Sequence, residues 1–245
     1  MAALTVAVLG LGEAGSRLAA DLTSAGAEVR GYDPVAGGTA VEAVAGSDLV
    51  LSVNTAKAAL EAAGSARPAL GPEAVFADLN TASPARKREI AEVVGGERFA
   101  DVALLGPVPA RGIATPALAS GPGARAFADA LEPLGMRVDV VSDRVGDAAT
   151  LKLLRSVFMK GLAASAIESV RAAEAAGHAE WLKQEIAAVI GRPLLDRLLT
   201  GSQAHATRRV DEMGAASEVL RELGIEPRIA EASAALLAEL AKGGA

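Results

Sequence analysis

Cysteine is absent from the 245 residues, which excludes disulfides, a thiolate nucleophile and any zinc or iron–sulfur site built on cysteine. Aromatic residues make up only 2% of the chain, too few for the stacking platforms that hold single-stranded nucleic acid. The core must therefore be built from Ala, Val, Leu and Ile. Two histidines, His178 and His205, fall short of the usual three-ligand zinc site, and no metal is expected. Basic residues are outnumbered, 24 Lys and Arg against 30 Asp and Glu for a net charge of -6. General nucleic-acid binding is not expected, although a local cationic pocket for a phosphate or carboxylate stays open. Nowhere does an apolar run reach the roughly 18 residues of a membrane span. The first residues lack the basic flank of a secretory signal, so the expectation is a cytoplasmic protein without a membrane partner.

Hydrophobic residues make up 51% and charged residues 22%, a globular balance. Short apolar or β-branched runs occur at Thr5–Leu9, Val29–Tyr32, Leu49–Val53, Val75–Leu79 and Phe99–Leu104, with a last one at Arg137–Val141. Ala-rich segments with helical spacing lie between several of them: Ala14–Ala25, Ala56–Gly64, Pro84–Val94 and Ala124–Leu134. Strand–helix–strand alternation predicts a mostly parallel sheet covered on both faces, an α/β domain over residues 1–143. From Val145 the strand signal stops. Leu151, Leu154, Phe158 and Leu162 recur at helical spacing and predict a buried stripe on one long helix. Further helices are expected at Glu180–Ile190, Arg208–Leu223 and Ile229–Ala241, with breaks at Gly191–Pro193, Gly201 and Gly224–Pro227. Residues 144–245 thus read as an all-α domain.

Gly10-Leu11-Gly12-Glu13-Ala14-Gly15 follows the first strand directly and opens the first helix. In that context the glycines serve a tight turn, close approach of a pyrophosphate and close packing of helix on strand, which predicts a Rossmann dinucleotide-binding domain. Backbone N–H groups at the helix start face the phosphates. Asp33 closes the second strand 18 residues after Gly15. A carboxylate there accepts hydrogen bonds from the adenosine ribose and repels a 2′-phosphate, so NAD is preferred, with NADP as second choice.

These motifs, and the pairing with a helical second domain, resemble the β-hydroxyacid dehydrogenase and 6-phosphogluconate dehydrogenase superfamily over nearly the whole chain. Gly10 to Leu22 resembles its cofactor motif. Ser47-Asp48-Leu49-Val50-Leu51-Ser52-Val53 resembles its third strand, whose end, Val53 and Asn54, would line the cofactor cleft. Asp78-Leu79-Asn80-Thr81-Ala82-Ser83-Pro84 resembles the segment after the fourth strand, which implies that Asn80 and Thr81 face the nicotinamide side. The substrate loop departs from the family. Where relatives carry a Ser and free amides for a carboxylate, this chain has Leu105, Gly106, Pro107 and Pro109, and each proline removes a donor. The stretch Thr115-Pro116-Ala117-Leu118-Ala119-Ser120-Gly121-Pro122, and His205 to Arg209 with Glu212-Met213, fit a branch with a phosphogluconate-dehydrogenase-like C-terminal domain.

Gly146 to Lys152 resembles the segment bearing the family's catalytic lysine, and Ser156 stands where Asn is usual. Lys152, Ser156 and Lys160 are spaced at i, i+4 and i+8 along one helical face. Carbonyl reduction needs such a group, because an ammonium neutralises the growing oxyanion and supplies its proton. The resemblance implies an NAD(P)-dependent oxidoreductase of small, acidic hydroxy or oxo compounds, with Lys152 and Ser156 catalytic. Arg111, Lys160, His205 and Arg209 are candidate substrate contacts beside the loop at Leu105, Gly106 and Pro107. Relatives also imply a homodimer with Leu151–Val170 as its seam. Alternatives are imine reduction on the same scaffold, which Lys152 argues against, oxidative decarboxylation of a sugar acid, and a cofactor-sensing protein without turnover.

Overall fold

The computed structural model describes residues 3–204 and 206–243, and their side chains except those of 202–204, 206–207 and 243. The chain divides into two compact units, Met1–Lys152 and Leu153–Ala245, whereas the sequence sets its change of character at 143/144.

In the first unit seven strands form one sheet: β1 (Thr5–Leu9), β2 (Glu28–Tyr32), β3 (Leu49–Ser52), β4 (Val75–Asp78), β5 (Phe99–Leu104), β6 (Ala117–Ser120) and β7 (Val138–Ser142). Their order is β2-β1-β3-β4-β5-β6-β7. The first five are parallel; β6 is antiparallel to β5 and β7 parallel to β6, so the last two run in reverse. The mostly parallel Rossmann-like sheet expected from the alternation is therefore present, with β6 as an added strand that the alternation did not reveal. Central strands β3 and β4 are buried at every residue, as strands covered on both faces require. Edge strand β2 instead carries Glu28 and Arg30, which pair at 2.7 Å and blunt the open edge.

Side chains alternate between the two faces along each strand. Val6, Val8, Leu49, Leu51 and Ala77 pack with Leu18 and Leu22 of helix α1 (Glu13–Ser24) on one side. Ala7, Leu9, Val50 and Phe76 pack on the other with α2 (Ala40–Val44), α3 (Ala59–Ala66) and α4 (Pro84–Val94). Short α5 (Val108–Arg111) follows β5, and α6 (Ala124–Leu131) places Phe127 and Leu131 in the first of these clusters.

Long helix α7 (Asp147–Ala175) contains the division between the units. In the second unit it is followed by α8 (Ala179–Ile190), α9 (Arg192–Ala204), α10 (Ala206–Glu222) and α11 (Arg228–Gly243). Leu153, Ile167, Met213, Ala216, Val219, Leu237 and Leu240 form the core there. Two expectations are corrected. The stripe through Leu151 and Phe158 is not core: these residues are 45% and 68% exposed, while Leu153, Ser156, Ala163, Ile167 and Val170 are buried. In an Ala-rich helix several stripes satisfy the same repeat, and counting large side chains selects the wrong one. The break at Gly191–Pro193 is present, with Gly191 at φ +83° between α8 and α9, but Gly201 does not break the chain, because α9 runs through it. Pro193 occupies the first turn, where its missing N–H has no helical partner to lose. Gly201 lies where a Cβ would stand 3.4 Å from the Arg209 guanidinium. Among the described residues no helix is long and apolar enough to cross a membrane, and no cluster of three or more His, Asp or Glu could hold a metal ion.

Candidate active site

Strand order sets the location. The sheet order turns back at β1, between β2 and β3, and ligands of such sheets bind beyond the carboxyl ends of the strands at that point. Gly10 leaves β1 there with φ +100°, and its N–H donates to the Tyr32 carbonyl at 2.8 Å. A Cβ on Gly10 would stand 2.4 Å from the Val53 carbonyl oxygen, and one on Gly15 would stand 1.8 Å from that of Gly10. Both glycines are thus required for the turn itself. Gly12 differs: nothing lies within 4 Å of where its Cβ would be. It is the N-cap of α1 in extended conformation, with no side chain capping the helix. Open space over uncapped amides, with only Glu13 acidic in the first turn, fits a dinucleotide pyrophosphate.

Asp33 closes this loop from the side. Its Oδ2 accepts the Leu11 N–H at 2.9 Å and its Oδ1 the Val35 N–H at 3.1 Å. These two backbone hydrogen bonds, that from Leu11 foremost, hold the carboxyl below its usual pKa, so the group is an anion at neutral pH. Ala14 is half-buried on the first turn of α1, and Val53 and Asn54 are half-buried at the end of β3.

Two strands away, β4 ends at Asp78 in register with Ser52 and Leu9. At about 4.8 Å per strand the corner after β4 stands roughly 10 Å from the glycine turn. Asn80 in this corner is buried and committed inward. Its Oδ1 accepts the Asn54 N–H, and its Nδ2 donates to Ser52 Oγ at 3.0 Å and to Asp78 Oδ1. Its side-chain amide thus braces β3 against β4. Thr81 is the residue presented outward. Its Oγ1 accepts a hydrogen bond from Lys152 Nζ at 2.8 Å. Lys152 thus sits over the end of β4, on the same edge of the sheet as the glycine loop.

The first turn of α7 is anchored from below. Ala148 N–H donates to Ser120 Oγ and Ala149 N–H to Asp101 Oδ2, each at 3.0 Å. Asp147 accepts from Ser142 Oγ at 2.7 Å and from Arg144. The Ser142 hydrogen bond leads the causes that lower the Asp147 pKa, so its contribution to stability is present above its ordinary value and fades as pH falls through the lowered one.

A second polar cluster lies within the helical unit. Ser156 Oγ donates to Glu212 Oε1, and Lys160 Nζ donates to the same oxygen at 3.0 Å and to Ser156 Oγ at 3.3 Å. Burial pulls the Lys160 pKa down, and Glu212 offsets this only in part. Desolvation likewise lowers that of Arg209. Ser156 is therefore engaged with Glu212, a residue to which the sequence alone assigned no role. His205 lies outside the described residues. In the first unit, Leu105 and Gly106 are half-buried while Pro107 and Arg111 are exposed. Leu105 N–H already donates to the Pro116 carbonyl at 2.8 Å, and Arg111 Cδ stands 3.7 Å from where a Cβ on Gly106 would be.

Residues 173–240 match the family profile of a domain of unknown function, DUF1932. An uncharacterised 28.5 kDa protein of Methanothermus fervidus is 30% identical over 173 residues, which cover 69% of this chain and 66% of that protein, just under two thirds. A conserved hypothetical protein from Sinorhizobium meliloti is 30% identical over 97% of this chain and 88% of its own, with a TM-score of 0.77. A conserved protein of unknown function, described as structurally similar to 3-hydroxyacid dehydrogenases, is 28% identical over 98% and 97% of the two chains, at TM-score 0.76. In fold, the Mycobacterium tuberculosis 3-hydroxyisobutyrate dehydrogenase, solved with L-serine, matches at TM-score 0.83 with 21% identity over 100% and 96% of the two chains. Sheet, glycine turn and helical second unit are those of the NAD(P)-dependent 3-hydroxyacid dehydrogenase fold. The chain belongs to the superfamily of 3-hydroxyacid-dehydrogenase-like and 6-phosphogluconate-dehydrogenase-like proteins, with a C-terminal domain of the DUF1932 type.

Proposed function

We propose that this chain is an NAD(P)-dependent oxidoreductase of small hydroxy or oxo compounds, with Lys152 as proton donor and acceptor and NAD as the preferred cofactor. The observation that carries the reading is the Lys152–Thr81 hydrogen bond at 2.8 Å, on the strand edge that also bears the glycine loop. Gly12 and the first turn of α1 would receive the pyrophosphate, and the Asp33 anion the adenosine ribose. When bound, the nicotinamide supplies or takes the hydride. Lys152 holds its ammonium against Thr81 Oγ1 and gives one proton to the substrate oxygen as the carbonyl becomes a hydroxyl. In the reverse direction the neutral amine takes that proton back.

The M. tuberculosis relative is a dehydrogenase of one small hydroxy acid solved with another, L-serine, which supports an acidic substrate. Its anchoring here must differ from that of a loop with free amides. Leu105 N–H is already bonded within the fold, and Pro107 and Pro109 have none. Exposed Arg111 beside Gly106 is a cation placed for a carboxylate. Fluorescence titration tests the cofactor half of the reading: NADH binds about ten-fold or more tightly than NADPH, because a 2′-phosphate meets the Asp33 anion. Tighter NADPH binding would reverse the preference. A panel of hydroxy acids, oxo acids and cyclic imines followed by NADH absorbance tests the chemistry. Turnover confined to imines would contradict it.

A further inference from the structure

Three buried charges beneath the candidate site have no part in the proton transfer. Asp78, Lys87 and Asp101 are each 0% exposed. Lys87 Nζ lies 2.6 Å from Asp78 Oδ2 and 3.2 Å from Asp101 Oδ1, and donates to the Asp78 carbonyl oxygen at 2.7 Å. One ammonium thus faces two carboxylates. The second negative charge is met by the start of α7, where Ala149 N–H and Ser120 Oγ donate to Asp101 Oδ2 at 3.0 and 3.2 Å. That is the positive end of the helix dipole. On the other side, Asp78 Oδ1 accepts from Asn80, the residue preceding Thr81. The contacts close into a ring: Lys87, Asp101, the first turn of α7, Lys152, Thr81, Asn80, Asp78 and back to Lys87.

Buried ion groups are poor sources of net stability, because desolvation consumes most of their attraction. What this ring does is fix geometry. Both partners of the Lys152–Thr81 hydrogen bond are tied, through separate arms, to one immobile ammonium. We propose that Lys87, with Asp101, is a positioning residue that holds the Lys152 ammonium at the end of β4. Its catalytic consequence rests on the oxidoreductase reading above; its geometric consequence does not.

Lys87→Met leaves two buried carboxylates facing each other and can prevent folding. The deciding variant is therefore Asp101→Asn, whose amide oxygen can still accept from Ala149 and Ser120 while its NH2, a donor, no longer holds the Lys87 ammonium. The readout is the rate at which an amine-acetylating reagent modifies Lys152, measured by peptide mass spectrometry against exposed Lys57 in the same sample. In folded Asp101→Asn the Lys152/Lys57 ratio rises about three-fold or more as the α7 turn loosens. Where turnover is measurable, kcat falls about ten- to hundred-fold with little change in NADH affinity. Should that variant fail to fold, Ser120→Ala, which removes the Ala148 and Asp101 hydrogen bonds of Ser120 and leaves only the direct Ala149–Asp101 bond in the α7 arm, is read by the same ratio. An unchanged ratio in a folded variant overturns the proposal, since a merely structural role leaves Lys152 in place below the melting temperature. A wild type without turnover on any substrate overturns the oxidoreductase reading alone, and the labelling ratio then decides the positioning role by itself.

Discussion

Lys152→Met is expected to lower kcat/KM by about a hundred- to ten-thousand-fold, while NADH affinity changes by less than about three-fold. The two effects separate because the amine and the glycine loop stand at different strand ends. Lys152 bonds to Thr81 after β4, whereas Gly10 to Gly15 and Asp33 surround the ends of β1 and β2. Methionine keeps most of the side-chain volume, so the loss reports the missing proton and charge. A fall confined to kcat marks an interaction made in the transition state; a rise in KM alone would mark simple binding. Lys152→Arg keeps a cation but does not release its proton near neutral pH, so it should recover little activity. Steady-state kinetics on the best substrate, with cofactor affinity measured in parallel, check all three statements. Undiminished turnover by Lys152→Met would assign proton transfer elsewhere.

Lys87→Met should cost about 3–5 kcal/mol of stability, the usual consequence of removing one partner of a buried ion group. For a chain of this size that is a fall in Tm of roughly 6–20 °C. The ammonium makes contacts of 2.6 and 3.2 Å with two fully buried carboxylates. Replacing Asp78, Lys87 and Asp101 together by Asn, Met and Asn should recover most of the loss, because no unpaired charge remains. Burial pulls the Lys87 ammonium down, but the attraction of Asp78 and Asp101 outweighs it and raises the group above its ordinary value of 10.5. A raised lysine contributes stability that is complete below its unfolded pKa and is lost only as pH climbs through the folded one. The Tm difference between wild type and Lys87→Met should therefore not shrink from about pH 6 to pH 9, and should widen as the two carboxylates left facing each other in the variant give up a shared proton. A difference that vanished towards pH 9 would contradict the account of a permanently charged ammonium.

The glycine turn, the five parallel strands and the position of Lys152 were legible because each depends on local pattern: an apolar run, a GxGxxG at its end, a lysine near a helix start. β6 was not. Its four residues, Ala117–Ser120, carry little strand propensity, and only the pairing with β5 and β7 makes them a strand. Lys87 left a signal that went unread. With Ile90, Ala91 and Val94 it stands at i, i+3, i+4 and i+7 on the buried face of α4, so a lysine interrupts an apolar stripe. Two apolar strands that close on or contain Asp78 and Asp101 complete the clue. Ser156 was read on a polar face shared with Lys152 and Lys160, yet it is buried like Leu153, because a small hydroxyl bonded to Glu212 packs as readily as alanine. Partners distant in sequence decide such cases, and periodicity does not contain them.

The central claim is that one edge of the sheet holds a dinucleotide and presents its reactive ring to Lys152. Acetylation of Lys152 in the presence and absence of saturating NADH, normalised to Lys57, reads both parts at once. The account predicts that NADH slows Lys152 modification about five-fold or more and leaves Lys57 unchanged. Equal rates for Lys152 with and without NADH, at concentrations where fluorescence reports a saturated protein, would contradict it.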